Sequence, residues 1–344
     1  MRILIDDKIP FIRGAAEQLG ETVYKDGGSI TPDDVRDADV LIVRTRTRCN
    51  RQLLEGSRVK FIATATIGFD HLDTDYLAQA GIGWSNCPGC NAASVAQYVG
   101  CSLLLLEEAG LLRLAESCVG IVGVGHVGTE VARAAGQLGC RVLRCDPPRA
   151  EREGEEGFLP LTALMAEADV ITFHTPLTRE GRHATFHMAD DDFFARLSRK
   201  PVIINSARGE VVCNRALKAA LNTGQVRAAI VDTWENEPGI DRELLDRVFL
   251  GTPHIAGYSA DGKACGTRMA LEAVARHFGL PAQFHIEPPA LPEGFAYYPD
   301  EHHAGRPATS PLRLYHPGRD SDALKAHPEQ FEYLRGHYPL RREH

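Results

Sequence analysis

The 344-residue sequence predicts an α/β protein with two doubly wound parallel-sheet domains, a cleft between them and a short C-terminal segment. Short apolar runs alternate with helix-like segments along most of the chain, which is typical of parallel strands joined by helices. A glycine-rich turn at Gly123 separates an apolar run from a helical segment, so a second sheet is expected after the first. The length also exceeds what a single hydrophobic core usually fills.

Four strands are expected before the first long helix. They are MRILIDD, ADVLIVRT, VKFIATATIG and GIGWSNC. Between the first two, the segment FIRGAAEQLG predicts a helix that ends at Gly20, and a long apolar-rich helix is predicted from Ala92 to Leu112. Ligands of parallel sheets bind beyond the carboxyl ends of the strands, so the residues that follow these runs are candidates for a site.

A second series of strands follows the long helix. They are VGIVGVG, CRVLRCD, ADVITFHTP, KPVIINSARG, RAAIVDTW and VFLGTPHIAG. The helical segment DGKACGTRMALEAVARHFGL comes after them and is predicted to return to the first domain. We therefore predict a discontinuous substrate-binding domain of residues 1–98 and 259–285, with a second domain of residues 99–258 inserted into it. Residues 286–344 form a short C-terminal tail.

Composition narrows the class of partner. The formal net charge is −8, which argues against nucleic acid because a phosphate backbone requires a basic face. The amino terminus lacks a signal-peptide pattern, and CSLLLLEEAGLL is interrupted by two glutamates and too short to span a bilayer. The nine cysteines are an odd count, which fits reduced thiols, and we expect a soluble cytoplasmic protein. Cys87 and Cys90 flank a Pro-Gly turn, and no second pair is present to complete a metal site, so no metal is predicted.

The turn GVGHVG has the context of a dinucleotide-binding fingerprint. Gly123 would make the tight turn, Gly125 would let backbone amides approach a diphosphate, and Gly128 would allow close packing of helix and strand. Asp146 ends the next strand and would accept hydrogen bonds from ribose hydroxyls, which favours NAD over NADP. Residues 99–258 are therefore predicted to be an NAD-binding Rossmann-like domain.

Three polar residues follow successive strands of this domain. Arg208, Glu237 and His254 have the functional groups that oxidation of a 2-hydroxy acid requires. An arginine can clamp a carboxylate through two hydrogen bonds, and a neutral imidazole can take the hydroxyl proton while a nearby carboxylate stabilises the imidazolium. Each residue alone has a structural explanation, but their joint position after a dinucleotide motif predicts a catalytic set.

Arginines at alternate positions in VRTRTRCN predict an anion site near the end of the second strand. In a strand, residues two apart share a face, so Arg44, Arg46 and Arg48 are expected to converge, with Arg44 the best candidate for binding a phosphate. The alternative is a charged edge strand that discourages pairing.

The order of VGIVGVGHVG, ADVITFHTPLT, INSARGEVV, DTWENEP and TPHIAGYS resembles the D-isomer-specific 2-hydroxyacid dehydrogenases. In that family the arginine, glutamate and histidine at these places are the catalytic set, and the histidine is the acid–base. VRTRTRCN, PGCNAASVAQYV and HIAGYSADGKACGT are similar to one member that oxidises a phosphorylated 2-hydroxy acid with NAD. That resemblance implies substrate contacts at Thr45, Thr66 and Tyr258. It implies cofactor contacts at His126, Val127, Asp146, Thr175, Ser206, Ala207, Asp232 and Gly257.

The resemblance also implies a homodimer, because the family usually pairs through the dinucleotide domain, and the tail looks like the final segment of a dimerisation domain. Two alternatives stay open. One is a sibling dehydrogenase for 3-phosphoglycerate or an unphosphorylated 2-hydroxy acid, and the other is a non-catalytic protein that senses NAD(H).

Overall fold

A computed structural model describes residues 1–291, Arg306 and residues 310–343. The described residues form two compact units. Unit 1 contains residues 1–91 and 259–291, and unit 2 contains residues 92–258 together with the described part of the tail. The predicted limit at residue 98 falls inside a helix that belongs wholly to unit 2, whereas residues 286–291 of the predicted tail belong to unit 1.

Unit 1 is built on a five-stranded parallel sheet in the order β2-β1-β3-β4-β5. The elements are β1 (Arg2–Asp6), β2 (Glu21–Lys25), α1 (Pro32–Val35), β3 (Val40–Val43), α2 (Arg51–Leu54), β4 (Phe61–Thr64), α3 (Thr74–Ala80) and β5 (Gly83–Ser85). Strands β3 and β4 are wholly buried, as the apolar runs predict. The order reverses between β1 and β3, which is where parallel sheets bind ligands.

Unit 2 is built on a six-stranded parallel sheet in the order β11-β10-β9-β8-β6-β7. Its first elements are α4 (Ala92–Glu108), β6 (Cys118–Val122), α5 (His126–Gln137), β7 (Arg141–Cys145), α6 (Pro147–Glu153), α7 (Leu161–Glu167) and β8 (Val170–Phe173). The rest of the sheet region is α8 (Asp191–Ala195), β9 (Val202–Asn205), α9 (Asn214–Thr223), β10 (Ala228–Val231), α10 (Arg242–Arg247) and β11 (Leu250–Gly251). The strand order reverses between β6 and β8, so the loops after these two strands flank the expected binding point.

Helix α11 (Ala260–His277) packs in unit 1. The tail adds α12 (Pro317–Ala326) and α13 (Phe331–Gly336) to unit 2. Leu324 and Phe331 of these helices are buried in one of the hydrophobic cores of that unit. The predicted fold class of two doubly wound parallel-sheet domains is therefore confirmed.

Two local features differ from the expected elements. The segment FIRGAAEQLG holds only a 3₁₀ helix at Ala16–Gln18, because Phe11 and Gly14 both adopt positive φ angles that a helix does not allow. The sequence does not predict strand β2, since its residues ETVYK are polar at both ends and mostly half-buried at the sheet edge.

Within the part of the chain that the structure describes, no helix combines the length and apolar character that crossing a membrane requires.

Candidate active site in the dinucleotide-binding unit

The glycine-rich turn after β6 is compact on one side and open on the other. Gly123 has a φ of +86°, and a Cβ atom on Gly128 would lie 2.0 Å from the carbonyl oxygen of Gly123. A Cβ on Gly125, by contrast, would meet no atom within 4 Å. The turn thus brings α5 close to the strand and leaves backbone amides accessible at the start of that helix, which suits a diphosphate.

Asp146 ties the end of β7 to this turn. Its Oδ2 accepts a hydrogen bond of 2.8 Å from the backbone N–H of Val124, and its Oδ1 caps α6 through the N–H of Arg149. His126 is exposed at the start of α5, and Val127 packs against a hydrophobic core. The carboxylate is therefore held beside the glycine turn, where it would repel the 2′-phosphate of NADP.

Hydroxyl groups after β8 and β9 have unsatisfied hydrogen-bonding capacity. Oγ1 of Thr175 and Oγ of Ser206 are buried without a partner among the described residues. Next to Thr175, burial lowers the pKa of His174 to about 3, so this imidazole is neutral and its Nε2 lies 2.9 Å from Oγ1 of Thr172. Buried polar groups are normally paired, so the two orphaned hydroxyls indicate a polar ligand.

Asn205 shapes the turn that carries Arg208. Its side chain donates to the carbonyl of Arg208 (3.0 Å) and accepts from the N–H of Ala207 (3.2 Å). The turn packs tightly on the end of the next strand, because a Cβ on Gly209 would lie 2.0 Å from the carbonyl oxygen of Trp234. Arg208 is partly buried and donates to the carbonyl of Ala207 (2.8 Å).

Glu237 and His254 form a hydrogen-bonded pair. Oε2 of Glu237 lies 2.8 Å from Nδ1 of His254, and Oε1 accepts from the N–H of Trp234 at 2.9 Å. Burial raises the pKa of Glu237, but the hydrogen bond and charge of His254 outweigh it and bring the pKa below its ordinary value. An ionised carboxylate only accepts, so Nδ1 carries the hydrogen and Nε2 keeps the lone pair that a general base needs.

Asp232 holds the loop on which His254 lies. Its Oδ1 accepts from the hydroxyl of Thr252 (2.7 Å) and the N–H of Ile255 (2.7 Å), and its Oδ2 accepts from the N–H of Ala256 (3.0 Å). Burial is the largest influence on this carboxyl and raises its pKa. The side chain therefore acts first as a support of the loop.

The same loop continues through Gly257 to Tyr258. The ring of Tyr258 is partly buried and packs edge-on against Tyr338 of the tail, with 6.2 Å between ring centroids. The base of the loop is fixed further by Tyr98, whose hydroxyl lies 2.9 Å from that of Thr252. Tyr98 lies within PGCNAASVAQYV, but nothing local singles it out as a support of this loop, because it is one of many apolar positions of α4.

Residues predicted to bind substrate in unit 1

The arginine-rich segment is a turn. Strand β3 ends at Val43, and the N–H of Thr47 bonds to the carbonyl of Arg44 at 3.2 Å. The prediction that Arg44, Arg46 and Arg48 share one face of a strand is therefore wrong. Arg46 and Arg48 are exposed, as is Thr45, while Arg44 is partly buried.

Thr66 follows β4 and joins a short chain of polar groups. Its hydroxyl lies 2.7 Å from that of Thr64, which in turn lies 3.1 Å from Nε2 of His71. Burial lowers the pKa of His71, which favours the neutral ring. Thr66 follows β4 and the arginine turn follows the neighbouring strand β3, so both lie at the carboxyl ends of the strands of one sheet.

All nine cysteines are free thiols. Sγ of Cys87 donates to the carbonyls of Thr64 and Gly266, each at 3.2 Å, and burial raises the pKa of this thiol to about 12. Cys87 is therefore an inert structural thiol, and its spacing from Cys90 marks the turn.

Three metal-ligand side chains lie together elsewhere in the described part of unit 2. Ligand atoms of His187, Cys213 and Glu235 fall within 4.8 Å of one another. Nε2 of His187 lies 2.6 Å from Oε1 of Glu235, whose Oε2 accepts from the N–H of Asn214. These bonds satisfy the carboxylate without an ion, and the absence of a functional metal stays a prediction.

Relationship to known proteins

The family model for the NAD binding domain of D-isomer specific 2-hydroxyacid dehydrogenases matches residues 106–256. An erythronate-4-phosphate dehydrogenase of Bacteroides thetaiotaomicron is 54% identical over 100% of this chain and 97% of its own length. The chain belongs to the family of D-isomer specific 2-hydroxyacid dehydrogenases. An enzyme of the same name from Porphyromonas gingivalis is 43% identical over 100% of this chain and 94% of its own. These alignments include the tail, so the family relationship extends beyond the dinucleotide motif.

Solved structures agree on the fold. D-lactate dehydrogenase from Aquifex aeolicus, complexed with NAD and lactic acid, has a TM-score of 0.65 and 24% identity, covering 81% of this chain and 96% of its own. The TT0316 protein of Thermus thermophilus has a TM-score of 0.65 and 27% identity, covering 84% and 99%. The glycine turn, Asp146 and the two orphaned hydroxyls fit the cofactor of this family, and the protein is an NAD-dependent oxidoreductase.

Proposed function

We propose that this dehydrogenase oxidises 4-phospho-D-erythronate to (R)-3-hydroxy-2-oxo-4-phosphobutanoate in pyridoxal 5′-phosphate biosynthesis. Full-length relatives with the corresponding name support the substrate. The observation that carries the chemistry is the Glu237–His254 pair, held at 2.8 Å beside a dinucleotide fold. We assign NAD binding to unit 2 and the recognition of the substrate's phosphate to unit 1.

The chain's own groups then have distinct roles. Nε2 of His254 takes the proton of the C2 hydroxyl, and Glu237 stabilises the imidazolium that forms. Arg208 holds the substrate carboxylate through its guanidinium. When bound, NAD accepts the hydride that leaves C2. Thr175 and Ser206 supply hydroxyls for the cofactor, because both are buried without a partner in the described structure.

The second anion of the substrate is assigned to the turn at residues 44–48. This turn follows β3 at the strand-order reversal of its sheet, and it supplies the exposed cation Arg46. Thr45 and Thr66 offer hydroxyl groups at the same carboxyl ends of the strands. Arg44 is a weaker candidate than the sequence indicates, because its guanidinium is partly buried and bonded to Asp6 at 2.9 Å, whereas Arg46 is exposed.

A substrate comparison tests the proposal. Purified protein is assayed with NAD and 4-phosphoerythronate, unphosphorylated erythronate, 3-phosphoglycerate and D-lactate. We expect kcat/KM for 4-phosphoerythronate to exceed that for erythronate by about 10³-fold, since a site built for a charged group rejects an analogue without it. A preference for 3-phosphoglycerate or an unphosphorylated acid would assign a sibling activity, and binding of NAD without turnover of any acid would indicate a sensor.

A pair of variants tests the phosphate assignment. Arg46→Ala should raise KM for 4-phosphoerythronate about tenfold or more and leave that for unphosphorylated erythronate unchanged. Arg58→Ala is the matched control, because Arg58 is an exposed arginine that precedes β4. It therefore lies at the amino ends of the strands, whereas the turn lies at their carboxyl ends. Equal KM changes for both acids would place the phosphate elsewhere.

We also propose that the protein acts in the cytoplasm as a homodimer. The free thiols support a reducing compartment. Light scattering after size exclusion would distinguish a dimer from a monomer.

A further inference from the structure

The described part of the tail places the guanidinium of Arg335 beside the Glu237–His254 pair. Arg335, on helix α13, donates from Nε to the hydroxyl of Tyr258 at 3.0 Å. Its Nη1 lies 4.0 Å from Oε2 of Glu237, the same oxygen that contacts His254, and 3.8 Å from Oε1 of Glu332. The side chain is only 25% exposed, so water screens these charges less than it does on the surface. No motif in the sequence points to this residue.

Buried contacts fix the tail against the catalytic loop. Arg341 is 1% exposed, and its Nη2 donates to Oγ of Ser94 and to the carbonyl of Ala256, each at 2.6 Å. Its guanidinium lies 4.1 Å from the ring centroid of Tyr315. Ala256 lies two residues after His254, so the tail is bonded directly to the loop that carries the base.

A second set of bonds closes the tail on itself. The hydroxyls of Tyr315 and Tyr338 both donate to Oδ2 of Asp320, at 3.0 and 2.8 Å. Phe331, at the start of α13, is 1% exposed in the core of unit 2. Helix α13 is therefore held at both ends, and Arg335 has a defined position rather than that of a loose surface arginine.

We propose that Arg335 is a positioning residue of the active site, which holds the Glu237 carboxylate toward His254 and fixes Tyr258 beside it. The proposal rests on the proposed function, in which Glu237 and His254 are the acid–base pair. Arg335 and His254 both approach Oε2 of Glu237, so the charge of Arg335 favours the ionised carboxylate and disfavours the imidazolium that forms when His254 takes a proton. Among the residues that the structure describes, the other charged groups that interact with the pair are Asp232, whose charge acts on His254, and Glu332, which contacts Arg335.

Two substitutions separate charge from hydrogen bonding. Arg335→Leu removes both, so the imidazolium becomes easier to form and the acid limb of the kcat/KM profile should move up by about 0.5–1 pH unit. We expect kcat to fall about tenfold because Glu237 loses a contact that orients it. Arg335→Lys keeps the charge but not the planar fork, so it should restore the acid limb. The bond to Tyr258 is lost or loosened in both variants, so KM should be raised in both.

Lys325→Met is the control for a merely structural role. Lys325 donates a hydrogen bond of 2.7 Å to the carbonyl of Val248, which lies between α10 and β11. This contact fixes the tail without touching the Glu237–His254 pair, so its loss should leave the pH profile unchanged. An Arg335→Leu profile that coincides with the wild-type profile, or a shift equally large in Lys325→Met, would overturn the proposal.

A readout without substrate keeps this test independent of the proposed function. The Cε1–H signal of His254, assigned by its loss in His254→Asn, is followed by NMR as a function of pH in wild type and Arg335→Leu. An upward shift of its midpoint supports the role of Arg335 even where 4-phosphoerythronate is not turned over, and an unchanged midpoint refutes it. Lack of turnover by the wild type refutes only the proposed substrate.

Discussion

The guanidinium of Arg44 donates two hydrogen bonds to the carboxylate of Asp6, from Nε at 2.9 Å and from Nη2 at 3.3 Å. The Asp6 side chain is fully buried at the end of β1, whereas that of Arg44 is 31% exposed. A cation that the sequence suggests for ligand binding therefore neutralises a buried anion of its own sheet.

Arg44→Ala should consequently destabilise the fold. We expect the free energy of unfolding to fall by about 2–3 kcal/mol, because a buried carboxylate loses its partner. Urea denaturation measures it, with Arg48→Ala as the exposed control that should change stability by less than about 0.5 kcal/mol. The double variant Asp6→Asn/Arg44→Ala should recover part of the loss. An Arg44→Ala protein as stable as the exposed control would contradict the assignment.

Glu237→Gln tests the carboxylate beside His254. The amide keeps a similar shape but cannot stabilise an imidazolium by charge, so kcat should fall about 10²–10³-fold with little change in KM. Steady-state kinetics in the oxidative direction make the measurement. Glu332→Gln, which leaves the Glu237–His254 bond in place, serves for comparison, and a Glu237→Gln enzyme of near wild-type kcat would remove Glu237 from the catalytic set.

The glycine turn offers a matched pair of substitutions. Gly128→Ala places a methyl group against a backbone oxygen and should cost about 2 kcal/mol or more in stability. Gly125→Ala meets no atom of the chain within 4 Å, so the fold should tolerate it, while the affinity for NAD falls about tenfold or more. Thermal unfolding and NADH fluorescence titration distinguish these effects, and normal NAD affinity in Gly125→Ala would exclude this turn from the diphosphate site.

Asp320 predicts a pH dependence of stability. Burial, the largest influence, raises its pKa from the ordinary 3.8 to about 6, against the opposing bonds from Tyr338 and Tyr315. Between these values the folded chain binds more protons than the unfolded chain, so this group's contribution to stability is lost as the pH rises from about 4 to 6. Asp320→Asn should remove that loss.

The measurement is the difference in unfolding free energy between wild type and Asp320→Asn as a function of pH. The variant should gain about 2–3 kcal/mol relative to wild type between pH 4 and pH 6.5. A difference that is flat with pH would show that Asp320 titrates alike in both states.

Local patterns were sufficient for every strand of the two sheets except β2, and for the glycine turn. Apolar runs such as VLIV and VIIN become fully buried strands because burial on both faces requires such sequences. The expected positions of Glu237 and His254 followed from strand ends, and the structure brings the two side chains into contact. Their roles, like those of the other predicted site residues, stay predictions.

What the sequence could not provide depends on contacts between distant positions. Alternation of arginines suggested a continuing strand, but the partner of Arg44 lies 38 residues earlier and the chain turns to reach it. Asn205 lies within INSARGEVV, but neither its bonds to the Arg208 turn nor the contacts of Arg335 have a local signal, because they form only on folding. The described part of the tail likewise had too little periodicity for its helices to be predicted.

Because Arg341 is buried and bonded to Ala256, the short segment after α13 helps to hold the loop that carries His254. Proteolysis that removed Arg341 would leave the carbonyl of Ala256, two residues after His254, without this donor. Preparations should therefore be checked by intact mass before low activity is attributed to anything else.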